Sequence, residues 1–211
     1  MSLIELMIAI GIMSFASIMI LSLFTNLTKA YKYNSFLLSI NRDLRFFTGD
    51  LTDNATFSNY FFILPDFSTR TIGTAPNLAL ANVADGDAGD CVVFVFKDTT
   101  DDSKIARLVG YYHDPDATLY GPLRKFDLTF TPSQTGNVWD MLPALATLHT
   151  NLDIINARMD GTAVGTSSSG RMFYNFFNRS VMIKGQLNYT STDGMTKRAV
   201  STYNFTVSPR G

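Results

Sequence analysis

The sequence holds one cysteine, Cys91, in 211 residues, which excludes an intramolecular disulfide. A chain of this length can bury a sufficient core without such staples, so the shortage does not exclude an extracellular home. Cys91 sits in Cys91-Val92-Val93-Phe94-Val95-Phe96, where it reads as an inert core thiol in a buried strand. Histidine is almost as scarce: His113 and His149 have no partner at metal-ligand spacing and no nucleophile motif beside them. Neither a zinc site nor a catalytic constellation is legible. Charged residues make up only 17%, and 17 Lys+Arg against 18 Asp+Glu leave a net charge of −1. Nothing in that balance calls for a nucleic acid held by bulk charge. The shortage of charge is most uneven at the start, where Glu5 is the sole charged side chain from Met1 to Thr28. Neither proline nor glycine occurs between Ile12 and Thr48, so no helix breaker interrupts that stretch.

What is present there is apolar. Leu6 to Phe24 is broken only by Ser14, Ser17 and Ser22, with Gly11 among the small residues. Counted from Leu3 at about 1.5 Å per residue, the stretch spans roughly 30 Å, one bilayer core. A cleavable secretory signal needs a basic start, a shorter apolar region and a small-residue cleavage site, and none is visible. The segment reads as membrane-spanning. Beyond Lys29 the pattern becomes periodic. Ala30, Tyr33, Leu37, Ile40, Leu44, Phe47 and Leu51 alternate steps of three and four, while Lys32, Asn34, Asn41, Arg42, Asp43 and Asp50 take the other faces. One helix is therefore expected from about residue 2 to about residue 54, its second half packing the stripe against the chain's own sheet.

After residue 55 the period shortens. Asn59–Leu64 reads as a short strand closed by Pro65, and residues 66–90 as a long surface loop. Asp90–Phe96 and Ile105–His113 are expected strands around the polar turn Asp98–Ser103, and Phe126, Leu128 and Phe130 alternate within Leu119–Thr131. Trp139–Ile155 has helical spacing, though Pro143 fits only in a first turn. Gly161–Gly170 reads as a loop. Val181–Thr190 and Lys197–Val207 flank Asp193-Gly194, a hairpin signal. Phe61, Phe62, Phe94, Phe96, Phe173, Phe176 and Phe177 fall in strand-like runs and read as core. The fold class is α+β: a long N-terminal helix packed on an antiparallel sheet. The expected divisions are a hydrophobic helix over 1–28, its amphipathic continuation over 29–55, and a β-rich head over 56–211.

The opening residues, Met1-Ser2-Leu3-Ile4-Glu5-Leu6-Met7-Ile8-Ala9-Ile10, resemble the mature N-terminus of type IV pilins and type II secretion pseudopilins. Members typically begin Phe-Thr/Ser-Leu-Ile-Glu-Leu after removal of a basic leader, so Met1 here stands where phenylalanine is usual. The resemblance covers roughly residues 1–30. More loosely, Asn41-Arg42-Asp43-Leu44-Arg45, Val109-Gly110-Tyr111-Tyr112, Leu119-Tyr120 and the C-terminal hairpin look like the larger J/W-type minor members, which lack the proline near position 22, here Ser22. The resemblance implies a pilin head, processing and methylation at Met1, and pairing of Glu5 with an N-terminal amine, commonly a neighbour's. It implies as partners copies of the chain or other pilins, a prepilin peptidase and an assembly platform. Single-pass residence in a bacterial inner membrane would precede an extracellular pilus or a periplasmic pseudopilus. Lys29, Lys32, Arg42 and Arg45 follow the apolar segment and nothing basic precedes it. The positive-inside rule alone would place the head in the cytoplasm. The family's basic leader would reverse that orientation.

Glu5 carries the sharpest physics. A carboxylate in an apolar helix costs on the order of 3 kcal/mol at mid-bilayer and less near the interface. Near the interface it would simply stay wet. In a bundle of such helices an unpaired carboxylate is costly, whereas pairing with an amine rewards one axial register over others. Elsewhere, Asp85, Asp87 and Asp90 in Asp85-Gly86-Asp87-Ala88-Gly89-Asp90 offer oxygens of the kind that bind Ca²⁺, without EF-hand spacing. The bland reading is a solvated turn, and no cofactor is expected. Asn-x-Ser/Thr occurs at Asn26, Asn54, Asn178, Asn188 and Asn204, and Ser167, Ser168 and Ser169 lie in a loop, as possible sugar acceptors.

Three functions compete. The first is a structural filament subunit, as shaft or as a minor tip subunit of a secretion or DNA-uptake machine. The second is a membrane-tethered ligand-binding module, for which Lys184, Lys197 and Arg198 are too few to build a basic groove. The third, an anchored enzyme, has no catalytic constellation behind it.

Overall fold

The computed structural model describes residues 2–65, 82–113, 123–143, 159–160, 171–189 and 199–210. The chain divides into two compact units, Met1–Asn41 and Arg42–Gly211. Helix α1, Leu3–Phe57, begins in the first and ends in the second, slightly longer than the expected 2–54. In the first unit the apolar side chains face outward, Leu3, Met7, Phe15, Ile20 and Phe24 among them. Four polar residues in this stretch are satisfied within the helix. The hydroxyls of Ser14 and Ser17 donate to the carbonyls of Ile10 and Met13, and those of Thr25 and Thr28 to Ser22 and Phe24, all at 2.8 Å. No water is needed at those positions.

In the second unit α1 turns one face into the core. Phe47, Leu51 and Ala55 are fully buried, and full burial of a Leu or Phe side chain stabilises by about 1.5–3 kcal/mol. The stripe read from sequence is thus half right. Leu44 and Leu37 are half-buried, and Tyr33 and Ala30 are exposed, so the core face starts near Phe47 rather than at Ala30. The helix ends where the Ser58 hydroxyl and amide turn back on the Ala55 carbonyl, at 2.8 and 3.2 Å. Asn59 N–H then donates to Val95 O at 2.9 Å, which delivers the chain into the sheet.

The first sheet contains β1 (Tyr60–Leu64), β3 (Cys91–Lys97), β4 (Lys104–His113) and β5 (Leu123–Thr135), all antiparallel and in that spatial order. Both faces are buried, which explains the near-continuous apolar run Cys91–Phe96. One face carries Phe94 and Tyr111, which meet edge-on, and Tyr111 in turn lies against Phe47 of α1. The opposite face carries Phe62, Cys91, Val93, Leu108 and Phe126 and packs on Val138, Trp139 and Leu142. Cys91 is buried there, as its context suggested. Gly110 is required for close approach: a Cβ at that position would lie 2.2 Å from the Phe126 ring.

A second sheet places β2 (Ala88–Gly89), β7 (Phe173–Phe176), β8 (Ser180–Tyr189) and β6 (Met159–Asp160) in that order, with β9 (Ala199–Val207) on the other side of β8. The β8–β9 ladder runs from Val181↔Val207 to Tyr189↔Ala199, the antiparallel pair signalled by Asp193-Gly194; the connecting residues lie outside those described. Phe205 of β9 meets Phe47 edge-on at 6.0 Å, so that one helix residue touches both sheets. Helix α2, Val138–Met141, is a single turn closed by extended Leu142 ahead of Pro143; the remainder of the expected helix to Ile155 lies outside the described residues. Two expectations are corrected. Residues 82–90 are a surface loop only in part: Ala84, Asp85, Gly86 and Asp87 are exposed, but Val83 is buried, its N–H donates to Ile63 O, and Ala88–Gly89 form β2. Phe176 and Phe177 are not core: they are 47% and 64% exposed at the end of β7 and in the turn after it, where the chain reverses with both rings outward.

Candidate functional site

The first turn of α1 is closed by its own side chains. The Ser2 N–H donates to Glu5 Oε2 at 2.8 Å, and the Glu5 N–H donates to Ser2 Oγ at a longer 3.4 Å. This reciprocal pair is a capping box, built from Ser2-Leu3-Ile4-Glu5. The reading of Glu5 by its charge alone overlooked this local role, although Ser-x-x-Glu ahead of an apolar run is its sequence signature. The carboxylate also lies at the helix N-terminus, where the aligned peptide dipoles favour negative charge. One oxygen, Oε2, is engaged by Ser2; both residues are exposed. Met1, the expected amine partner and methylation site, lies outside the described residues.

Behind this cap, Leu3–Ser35 is long and apolar enough to cross a membrane, with mean hydropathy 2.4 in its best window and none of that window buried. A soluble core helix of this length would be covered by its own protein.

In the second unit a polar cluster fixes α1 to the first sheet. Asp50 accepts from Tyr111 Oη at 2.6 Å and from Lys125 Nζ at 2.7 and 2.8 Å. Asn54 Nδ2 donates to Tyr111 Oη at 2.8 Å and to the Asp50 carbonyl at 2.7 Å. Burial, then the adjoining Asp50 carboxylate, pushes the Tyr111 hydroxyl well above the ordinary tyrosine value. It therefore stays a donor. Asn54 is thereby engaged and buried, which removes it as a sugar acceptor in the folded chain; Asn204 is exposed on β9.

The acidic cluster is organised as turn chemistry. Gly86 takes φ +84°, Asp87 N–H donates to Ala84 O at 3.0 Å, and Asp85 Oδ1 accepts from Phe177 N–H at 2.5 Å. Asp90 N–H donates to Pro65 O. Among the described residues no three His, Cys, Asp or Glu side chains are grouped to hold a metal ion, so Asp85, Asp87 and Asp90 are not brought together as ligands. His113 is in β4. His149, Ser167, Ser168, Ser169, Lys197 and Arg198 lie outside the described residues. Lys184 sits over the Tyr174 ring at 4.9 Å, a structural contact.

Comparison with known proteins finds no matching family model, no matching curated protein and no matching solved structure.

Proposed function

We propose that this chain is a structural subunit of a type IV pilin-like filament that assembles through its N-terminal helix and performs no chemistry. The observation that carries the reading is a lone carboxylate, Glu5, heading a membrane-length helix whose apolar side chains are left uncovered by the chain itself. Such a surface is stable in only two environments, a bilayer or a bundle of similar helices. Held in a bacterial inner membrane first, the helix would pass into the filament interior, with the head outside the membrane.

In the bundle, Glu5 pairs with the α-amino group of Met1 of a neighbouring copy. Its Oε2 serves Ser2, and the other oxygen remains for the amine. Deleting one partner of a buried pair costs about 3–5 kcal/mol, enough to discriminate one axial register from its neighbours. The ion pair is between subunits; the cap is within one.

Mass spectrometry of sheared surface or periplasmic filaments tests this. The expected result is a chain whose N-terminal peptide begins at Met1 and carries a methyl group on its α-nitrogen. An uncleaved leader on assembled chains, or confinement of the chain to the membrane fraction, contradicts the reading.

A further inference from the structure

Where the apolar stretch of α1 ends, polarity returns abruptly and with one sign. Lys29, Tyr31, Lys32 and Tyr33 are all exposed, Tyr31 by 75% and Tyr33 by 40%. At about 100° per residue, Lys29, Lys32 and Tyr33 share one arc of the helix and Tyr31 takes the opposite side, so the four ring it within about 6 Å of its length. Between Glu5 and Asp43 the sequence holds no acidic residue, so no carboxylate on that stretch of α1 offsets the two lysines.

The spacing of the two polar ends matches a bilayer. Glu5 and Lys29 lie about 36 Å apart along the helix at about 1.5 Å per residue. A hydrocarbon core is about 30 Å thick, and the bilayer with its headgroup regions about 40–45 Å. An upright helix therefore places Lys29 in one headgroup region and Glu5 in the other, and a tilt of up to about 30° leaves neither in hydrocarbon. Sliding the helix by one turn, about 5 Å, moves either the carboxylate or an ammonium into the core, and insertion disfavours both. Tyrosine rings and long lysine stems are suited to the boundary between headgroup and acyl chain.

We propose that Lys29, Tyr31, Lys32 and Tyr33 form an interfacial collar that binds the phosphates of anionic phospholipid headgroups and seats α1 with the capped Glu5 in the opposite headgroup region. The partner is a lipid surface, with the lysines on phosphate oxygens and the rings just beneath them. Arg42 lies about 20 Å farther along the helix than Lys29, beyond the reach of a screened charge at physiological salt, and takes no part. Glu5 then stays wet in the bilayer, and its need for an amine begins only when the helix leaves for a bundle. The inference rests on membrane residence of the helix and not on the filament.

Two measurements on the full-length chain in mixed phosphatidylcholine–phosphatidylglycerol vesicles test it. Cys91 is buried, so a nitroxide label goes to cysteines introduced on one exposed face of the helix, I10C, S14C, S17C, L21C and F24C. Oxygen accessibility should peak at S17C, midway between Glu5 and Lys29. K29L/K32L should move the peak toward F24C, because the next cation is then Arg42, whereas K29R/K32R should leave it at S17C. Spin-labelled phosphatidylglycerol should associate with the unlabelled chain roughly five-fold more strongly than spin-labelled phosphatidylcholine, the scale of one interfacial lysine. That preference should vanish in K29L/K32L, persist in K29R/K32R and weaken with salt. A peak away from S17C, a peak unmoved by K29L/K32L, or equal association of the two lipids overturns the collar. Uniform accessibility at all five positions contradicts membrane residence itself, so the two failures are distinguishable.

Discussion

The Tyr111 hydroxyl lies 2.6 Å from Oδ2 of Asp50 and fixes the helix on the sheet at the residue just before the buried Leu51–Ala55 seam. Lys125 reaches the same carboxylate from β5, and side chains of Lys125 and Asp50 are only 19% and 26% exposed. Asp50→Ala would strand an ammonium and a phenol in that setting. The expected loss is about 2–4 kcal/mol, against about 1 kcal/mol for Tyr111→Phe, which leaves the ion pair intact. Lys125→Met should cost less than Asp50→Ala, because the carboxylate it leaves without a cation keeps the Tyr111 hydroxyl as a donor. Urea unfolding of the detergent-solubilised chain, followed through the single buried Trp139, measures all three.

The helix stripe should show a gradient. Phe47→Ala and Leu51→Ala are expected to cost about 3–5 and 2–5 kcal/mol, since both side chains are fully buried. Half-buried Leu44→Ala should cost less, and Tyr33→Ala, at an exposed position, close to nothing. Equal losses along the whole stripe would place the core face where the periodicity alone put it.

The polar turn after β3 should respond to acid. Hydrogen bonds from the Ser133 hydroxyl and from the Thr100 amide and hydroxyl hold Asp98 down from 3.8 to about 2. The folded value is the depressed one, so the contribution is fully present above about pH 4 and lost as the pH falls toward 2. Asp101 is lowered in the same sense by Ser103 and Lys104. A carboxyl-carbon NMR titration should find Asp98 titrating near 2, and Asp98→Asn should flatten, not abolish, the acid dependence of the melting midpoint.

Local pattern made much of this legible. The absence of helix breakers gave α1 within three residues at its C-terminal end, and alternation with turn residues gave β3, β4 and the β8–β9 ladder. Non-local pairing was not legible. The division into two sheets depends on contacts such as Val83 with Ile63 and Asp87 with Asn175, far apart in sequence, so 82–90 read as loop and the single expected sheet became two. Phe176 and Phe177 fall in a strand-like apolar run, and hydrophobicity does not reveal that a turn reverses the chain beneath them. The capping role of Glu5 is legible in Ser-x-x-Glu, a signature separate from its charge.

That cap sharpens the central claim. Glu5 has one role that is shown and one that is proposed: its side chain accepts the Ser2 N–H, and under the proposal its charge meets an amine in a filament. A glutamine retains the first role, since capping boxes accept Glu or Gln, and loses the second. The decisive measurement is therefore the yield of sheared filaments from cells whose only copy is Glu5→Gln, set against membrane-bound monomer in the same cells, with Glu5→Leu alongside. The account predicts normal or raised monomer for both, a reduced filament yield for Gln and a lower one for Leu. Wild-type filament yield from Glu5→Gln would contradict it and leave Glu5 as a helix cap alone.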